Sequence, residues 1–304
     1  MKQFLALFFW LCCLFGQGTL HAATGTTDRW TPHLAYHDGT ECVVSGQYVY
    51  ALMGENLLIY DTAHDAVAFV DRVSAGLSDK RIKHIGYSAT HGWLVLLYTN
   101  GNIDLYRPAD GMLVNLPAIK QAMAENLTVD RLRVQGDDAF FTTNKGFVWI
   151  DLARRELKGH FLMANCNDVL RVKDRLLVAT DQGVKSIGIL QNFSDPALWT
   201  TIFSTPVKHL AASANAVYLN VAGGSTAVVG TWRIAAGLVE KAGANDFARV
   251  DLLALKQLQT GVSGAVYGFN DLTLLQFDDN ASSATATTLG SGLNWLQPDG
   301  KDNF

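Results

Sequence analysis

The stretch YVYALMGENLLIYD at 48–61 shows the pattern on which most of the chain is built. An apolar run leads into a Gly/Asn turn, and a shorter apolar run follows and ends on a polar residue. Gly and Asn are the residues that tight turns between paired strands require. The pattern recurs in five further segments: WLVLLYTNGNIDLYR at 93–107, AFFTTNKGFVWID at 139–151, RLLVATDQGVKSIG at 175–188, AVYLNVAGGSTAVVGTWR at 216–233 and GAVYGFNDLTLLQFD at 264–278.

The ends of these six segments fall at a nearly constant interval. They are Asp61, Tyr106, Asp151, Gly188, Arg233 and Asp278, and the successive intervals are 45, 45, 37, 45 and 45 residues. Strand-rich repeats of about 40–50 residues are typical of propeller blades. The sequence therefore predicts an all-β fold, a β-propeller of four-stranded blades with six visible repeats and a ring of six or seven blades.

Each blade is expected to hold four strands. In the first blade they are predicted at Cys42–Ser45, Tyr48–Met53, Leu57–Asp61 and Val67–Asp71. The segment HLAY at 33–36 is interpreted as an N-terminal strand that completes the last blade and closes the ring, since closure removes exposed sheet edges. A disordered N-terminal arm is the alternative for this segment.

One segment between the blades departs from the strand pattern. PAIKQAMAENL at 117–127 begins with Pro, which suits the first position of a helix, and its apolar residues recur every four positions. It predicts a short helix on the rim that covers a blade edge.

The two ends of the chain lie outside the repeat pattern. Residues 1–22 carry Lys2, an apolar run at 4–15 and small residues up to Ala22, which is the order of a secretory signal peptide. The expected organisation is a signal peptide at 1–22, the β-propeller at 23–291 and a linker stub at 292–304, truncated before a second domain. We expect the protein to be exported to the periplasm or the cell surface, at most peripheral to the outer membrane.

Composition excludes several classes of function. Charged residues make up 17% of the chain and the net charge is −4, so no basic field attracts nucleic acid. Beyond the predicted signal only Cys42 and Cys166 remain, which is too few for a disulfide framework. Both are expected to be unpaired thiols.

Charged residues at the predicted inner strands are the candidate binding residues, because several can project toward one mouth of a central channel. An anionic sugar or phosphate group would find hydrogen-bond donors there. Local ion pairing and solvated loop ends are the alternative. The candidate residues are His84, Arg131, Arg133, Arg171, Lys208, His209 and Arg249, with Asp168 and Asp251 as neighbouring carboxylates.

No motif for catalysis, metal binding or a cofactor occurs in the sequence. Nucleophile elbows, P-loops, HExxH and paired CxxC are absent, and the histidines are scattered along the sequence. We therefore expect a non-enzymatic protein without a cofactor or metal. A propeller lactonase or lyase, the enzymatic alternative, would need His and acidic residues that converge at the channel mouth.

Binding is expected in the long loops at 188–200 and 222–227, because loops vary freely on a rigid ring.

Several segments resemble the N-terminal β-propeller of the PorZ family. They are WTPHLAY at 30–36, VYALMGENLLIYD at 49–61, TTNKGFVWIDL at 142–152, CNDVLRV at 166–172, LLVATDQGVKS at 176–186 and PDG at 298–300. The blade repeat alone is also similar to the two-component-regulator propellers of Bacteroidetes sensors.

The resemblance to PorZ implies a surface component of the type IX secretion system of Bacteroidetes. It implies a binding or scaffolding role in the attachment complex, with the sortase, other complex proteins or anionic lipopolysaccharide as partners. No ligand residues follow from the resemblance. The alternative function is a ligand-sensing periplasmic propeller of a two-component-type regulator.

Overall fold

The computed structural model describes the blades and leaves both chain ends aside. The described residues are 38–117, 119–120, 127–214, 216–221, 228–235, 238–241, 255–261, 263–270, 272–277 and 284–288. They form six four-stranded antiparallel sheets, each built from four consecutive strands. The first strand of each sheet contacts the first strand of the next sheet along the chain, throughout the series of six sheets. The sheets are therefore arranged as the blades of a propeller.

The first three blades follow the predicted repeats closely. Blade 1 consists of β1 (Gly39–Ser45), β2 (Tyr48–Met53), β3 (Asn56–Asp61) and β4 (Ala66–Val70). Blade 2 consists of β5 (Ile82–Ser88), β6 (Trp93–Tyr98), β7 (Ile103–Arg107) and β8 (Met112–Asn115). Blade 3 consists of β9 (Val129–Gln135), β10 (Asp138–Thr143), β11 (Gly146–Asp151) and β12 (Glu156–Leu162).

The last three blades complete the described strands. Blade 4 consists of β13 (Cys166–Val172), β14 (Arg175–Thr180), β15 (Gly183–Gly188) and β16 (Thr200–Phe203), with a 3-10 helix at Pro196–Leu198. Blade 5 consists of β17 (Val207–Ala212), β18 (Ala216–Val221), β19 (Val228–Ala235) and β20 (Leu238–Lys241). Blade 6 consists of β21 (Gln257–Thr260), β22 (Val266–Phe269), β23 (Thr273–Phe277) and β24 (Ala284–Thr288).

Burial explains why the second strand of each repeat is the strongest sequence signal. Every residue of β6, β10 and β18 is buried, so both faces of these strands pack against neighbouring blades. In contrast, the fourth strands β4, β8 and β12 are mostly exposed or half-buried. The core therefore lies between the blades, and the outer strands separate it from solvent.

The prediction of a propeller with four-stranded blades is confirmed, but the predicted number of blades, six or seven, was wrong. The described residues form five full blades and a sixth, partial one. The first and second strands of blade 6 hold four residues each, whereas those of the other blades hold six or seven. Its apolar runs are short and Gly268 interrupts one of them, so this repeat has less apolar surface to bury.

Three predictions fall largely or wholly outside the described residues. These are the closing strand at 33–36, the linker at 292–304 and most of the helix at 117–127. The signal peptide and the loop at 222–227 lie outside them as well. All of these stay predictions.

Candidate functional site

A β-bulge lies near the start of the inner strand in each of the first five blades, at a level that we call the channel mouth. In these strands one extra residue interrupts the register with the second strand. A bulge re-aims the side chain beside it. The residue that follows the bulge is therefore structurally equivalent from blade to blade. These residues are Glu41, His84, Arg131, Asp168 and His209.

Three of the predicted site residues meet in one ion cluster at this level. The Arg133 guanidinium donates to both Asp168 carboxylate oxygens, from Nε at 3.1 Å and from Nη2 at 2.6 Å. Arg131 Nε lies 3.3 Å from Asp168 Oδ1. Arg131 Nη1 also donates to His209 Nδ1 at 2.8 Å. Blades 3, 4 and 5 are thereby joined through side chains from β9, β13 and β17.

The ion cluster also holds the backbone of the next blade. Asp168 accepts from the backbone N–H of Leu210 at 2.9 Å, and Arg133 Nη2 donates to the Leu210 carbonyl at 2.7 Å. The Asp168 side chain is fully buried, with 0% exposure. A buried carboxylate in contact with two guanidiniums and a backbone amide is well satisfied. This cluster therefore has a structural role in joining adjacent blades.

Protonation states in the cluster follow from burial and from the two arginines. Burial, together with the Arg131 charge, lowers the pKa of His209 to about 3. Burial acts to raise the pKa of Asp168, but Arg131 and Arg133 outweigh it and hold that pKa below its usual value. His209 is thus neutral and Asp168 is ionised at neutral pH. Neutral His209 can accept the Arg131 hydrogen bond through Nδ1.

A second ion pair links blades 1 and 2 at the equivalent level. His84 Nδ1 lies 2.5 Å from Glu41 Oε1, and the other Glu41 oxygen accepts from the backbone N–H of Ile85 at 2.9 Å. Glu41 thus contacts the following blade as Asp168 does. Sequence reasoning missed Glu41, although alignment of the repeats at Asp168 would have located it.

The remaining predicted residues do not join the cluster. Arg171 Nη1 donates to Asp138 at 2.6 Å, and Lys208 Nζ donates to Asp181 at 2.6 Å in a largely exposed pair. Arg249 and Asp251 lie outside the described residues. The structure thus brings Arg131, Arg133 and His209 together, and it places His84, Arg171 and Lys208 in separate pairs.

The inner strands also line a cavity of about 220 Å³ that includes part of the channel mouth. Its polar lining includes Arg131, Arg133, Gln135, Gln257 and Gln259. Three buried polar atoms at this level have no hydrogen-bond partner among the described residues: His84 Nε2, Arg131 Nε and Gln257 Oε1. Buried polar groups of this kind are usually satisfied by ordered water. The cavity can therefore hold water or a small polar group.

A larger cleft opens between blades 3 and 4 and includes the predicted loop at 188–200. Its volume is about 500 Å³, and Phe193 and Trp199 contribute aromatic rings to its wall. The loop is held by its own contacts, because Trp199 Nε1 donates to the Phe193 carbonyl at 3.0 Å and the Phe193 ring packs 5.1 Å from that of Phe161. The loop thus presents a preformed surface.

Positive charge in this blade 3–4 cleft is not neutralised. Lys185 lines the cleft beside His160, and the Lys145 charge acts on His160 from nearby. Burial, with a smaller effect of Lys145, lowers the pKa of His160. Neither lysine has a carboxylate partner among the described residues. The cleft therefore combines aromatic rings with one cation in its lining, Lys185, and a second cation nearby, Lys145.

Other kinds of site find no support in the part of the chain that the structure describes. Within it, no three His, Cys, Asp or Glu side chains are grouped so that they can hold a metal ion. No helix in the described ranges is long and apolar enough to cross a membrane. No disulfide joins Cys42 to Cys166, and burial raises the pKa of the Cys166 thiol well above its usual value.

Solved structures share this fold. PorZ, titled an essential bacterial surface component of the type-IX secretion system of Porphyromonas gingivalis, matches with a TM-score of 0.72 and 21% identity. The match covers 89% of this chain but 35% of PorZ, so the chain spans about a third of that protein. The WD40 propeller domain of Doa1 matches with a TM-score of 0.60 and 12% identity over 88% of both chains.

A third propeller, that of Cps50 (Swd1) from Myceliophteria thermophila, matches with a TM-score of 0.62 and 13% identity, over 88% of this chain and 91% of that one. No curated protein matches the sequence. Identities this low establish the fold alone. A family model is more specific: the type IX secretion PorZ N-terminal β-propeller domain matches residues 49–200, which is half of the chain. The chain therefore belongs to the PorZ N-terminal β-propeller family.

Proposed function

We propose that the protein is a non-enzymatic, exported propeller module of the type IX secretion attachment complex. Its partners would be the sortase, or other proteins of the complex, and anionic lipopolysaccharide at the cell surface. The family match over 49–200 carries this proposal, because that range covers most of blade 1, all of blades 2 and 3 and most of blade 4. The solved PorZ structure supports it through the same fold.

The blade 3–4 cleft is the surface that best fits an anionic saccharide. Lys185 and Lys145 attract negative groups, and no carboxylate among the described residues competes for them. Trp199 and Phe193 offer apolar ring surface beside the cations. An exposed cation gains little from one ion pair, but it steers anionic ligands and adds to contacts made by the rings. The cluster at the channel mouth is less suitable, because Arg131 and Arg133 both already contact the buried Asp168 carboxylate.

The proposal is tested by binding to purified anionic lipopolysaccharide and by capture of the sortase from an outer-membrane extract. We expect the protein to recover at least one of them. We also expect the Lys145→Gln/Lys185→Gln double variant to bind lipopolysaccharide several-fold more weakly, because two cations without a carboxylate partner are lost. Binding should weaken as salt rises, since salt screens the same charges.

Lys208→Gln is the matched control for the double variant. It removes one lysine that already pairs with Asp181, so lipopolysaccharide binding should not change. Recovery of neither partner would contradict the proposed function. Lipopolysaccharide binding that is equal in the double variant and the original protein would leave the family role in place but exclude this cleft as its site.

A further inference from the structure

A cleft between blades 1 and 2 is lined by four tyrosines and has a volume of about 890 Å³. Small-molecule sites typically have volumes of about 300–1,000 Å³ and several aromatic walls. Tyr48 and Tyr50 come from β2, Tyr87 from β5 and Tyr106 from β7. We call this the tyrosine cleft. It shares no lining residue with the blade 3–4 cleft, and it shares Tyr87 with the cavity between the inner strands.

The four phenol hydroxyls are the unusual feature of the tyrosine cleft. None of them forms a hydrogen bond with another residue in the described ranges, although Tyr50 and Tyr106 are only 3% and 8% exposed. Buried tyrosines usually satisfy the hydroxyl. Tyr98 in blade 2 does so by donating to Asp104 at 2.6 Å. The tyrosine cleft therefore keeps four hydroxyl groups available for a ligand.

The rings of three of these tyrosines lie close together, and the Tyr48 and Tyr50 ring centroids are 6.5 Å apart. Burial raises the pKa of Tyr50, and the neighbouring phenols Tyr87, Tyr48 and Tyr106 raise it further. The Tyr50 and Tyr87 rings are stacked, with centroids 5.6 Å apart and planes 17° apart. At the rim, Tyr48 is 40% exposed and Phe69 is 51% exposed. Aromatic surface at the rim thus leads to a group of hydroxyls deeper in the cleft.

The tyrosine cleft has almost no net charge. Arg107 is its only charged lining residue among those described, and it donates to Asp110 at 2.6 Å while lying over the Trp93 ring. No cation is left for an anionic ligand and no carboxylate for a cation. A cage for an ammonium group needs open ring faces, but Tyr50 and Tyr87 cover each other. An apolar ligand in the cleft would leave the tyrosine hydroxyls without hydrogen-bond partners.

We propose that the tyrosine cleft binds an uncharged saccharide, with a sugar ring on Tyr48 and its hydroxyls bonded to the phenols of Tyr50, Tyr87 and Tyr106. Sugars present both surfaces that the cleft requires: a C–H face for the rings, and hydroxyls that donate and accept. The ligand can be a short free saccharide or part of a neutral polysaccharide. This inference does not depend on the proposed function.

The test uses three uncharged trisaccharides, maltotriose, cellotriose and mannotriose, in saturation-transfer NMR and calorimetric titration. A second arm uses the neutral polysaccharides dextran and mannan in affinity gels. We expect saturable binding of at least one probe, unchanged between low and high salt. Tyr87→Phe keeps the ring and removes one hydroxyl, so it should weaken binding by about two- to tenfold. Tyr48→Ala removes a stacking ring and should weaken it about tenfold.

Tyr60→Phe is the matched control, because its exposed hydroxyl bonds to Asp65 outside the cleft. Circular dichroism checks that each variant folds.

Binding of a trisaccharide that falls in Tyr87→Phe but not in Tyr60→Phe supports the site with a short saccharide as ligand. The same result with a polysaccharide alone supports it with a polymer. Binding of no probe, or equal binding by all variants, overturns the proposal. The Lys145→Gln/Lys185→Gln variant should bind these probes normally, which separates this test from that of the proposed function.

Discussion

The channel mouth and the blade 3–4 cleft both carry cationic side chains, but they differ in what those side chains contact. At the mouth, Arg131 and Arg133 surround a carboxylate that is 0% exposed and that also bonds to the next strand. At the cleft, Lys185 in the lining and Lys145 nearby meet no carboxylate among the described residues. Cationic side chains therefore stabilise the fold at the channel mouth, whereas those of the blade 3–4 cleft are available to a ligand.

The comparison shows that charge on an inner strand is a poor guide to binding. Inner strands are close to each other, so a charge there must be compensated by a neighbouring blade or remain buried at high cost. Side chains in a cleft between outer strands remain partly in water and can stay unpaired. Unpartnered polar groups in a preformed cleft are thus a better indication of a site than the number of charges.

The strongest test of the structural role of the channel mouth is Asp168→Ala. This substitution leaves two guanidiniums and the Leu210 amide without their acceptor, and it should lower the free energy of unfolding by about 3–5 kcal/mol. The control Asp181→Ala breaks the exposed pair with Lys208 and should cost less than about 1 kcal/mol. Urea denaturation measures both. Equal losses would mean that the buried cluster contributes no more than a surface pair.

The second prediction concerns pH and His209. Because the folded-state pKa is about 3, well below an unfolded value of about 6.5, only the unfolded chain binds a proton between these values. The free energy of unfolding should therefore fall as pH decreases below about 6.5, by up to about 1.4 kcal/mol per pH unit. Denaturation at pH 7, 6 and 5 measures the slope. His209→Gln should reduce it, and an unchanged slope in that variant would argue against a neutral, buried His209.

The third prediction concerns the turn that leads into the wall of the blade 3–4 cleft. Gly183 has a φ of +120°, and a Cβ there would meet the Phe203 carbonyl oxygen at 1.9 Å. Gly183→Ala should cost about 3 kcal/mol and displace Gln182 and Lys185, which line the cleft. Gly46 has a φ of +58° but open space around it, so Gly46→Ala should cost only about 1 kcal/mol. Thermal unfolding compares the two, and a reversed order would contradict the crowding argument.

Much of the blade architecture could be predicted from local sequence. The strand at Tyr48–Met53 was placed at its observed bounds, because an apolar run between turn residues has few alternatives. The other strands of blade 1 were placed within three residues. The number of full blades was not predictable, because the spacing of the sequence repeats does not indicate how long the strands of each repeat are.

The candidate residues were only partly predictable. Arg131, Arg133 and His209 were selected from inner strands and do meet, but Glu41 was missed and Arg171 and Lys208 contact other partners. The four tyrosines of the tyrosine cleft come from two different blades and three strands. Each one alone is typical of a packed strand, so no spacing in the sequence indicates that they line one cleft.

The sequence alone determined the class of fold, the repeat length, the turns and the family, because these depend on local apolar runs, on glycines and on motifs within one blade. Only the tertiary structure decided which charges are neutralised and which polar groups remain available. Those outcomes depend on contacts between blades, such as those of Arg133 and Leu210, which are 77 positions apart. Pairing across such a separation is set by how whole sheets pack, and a linear pattern does not contain it.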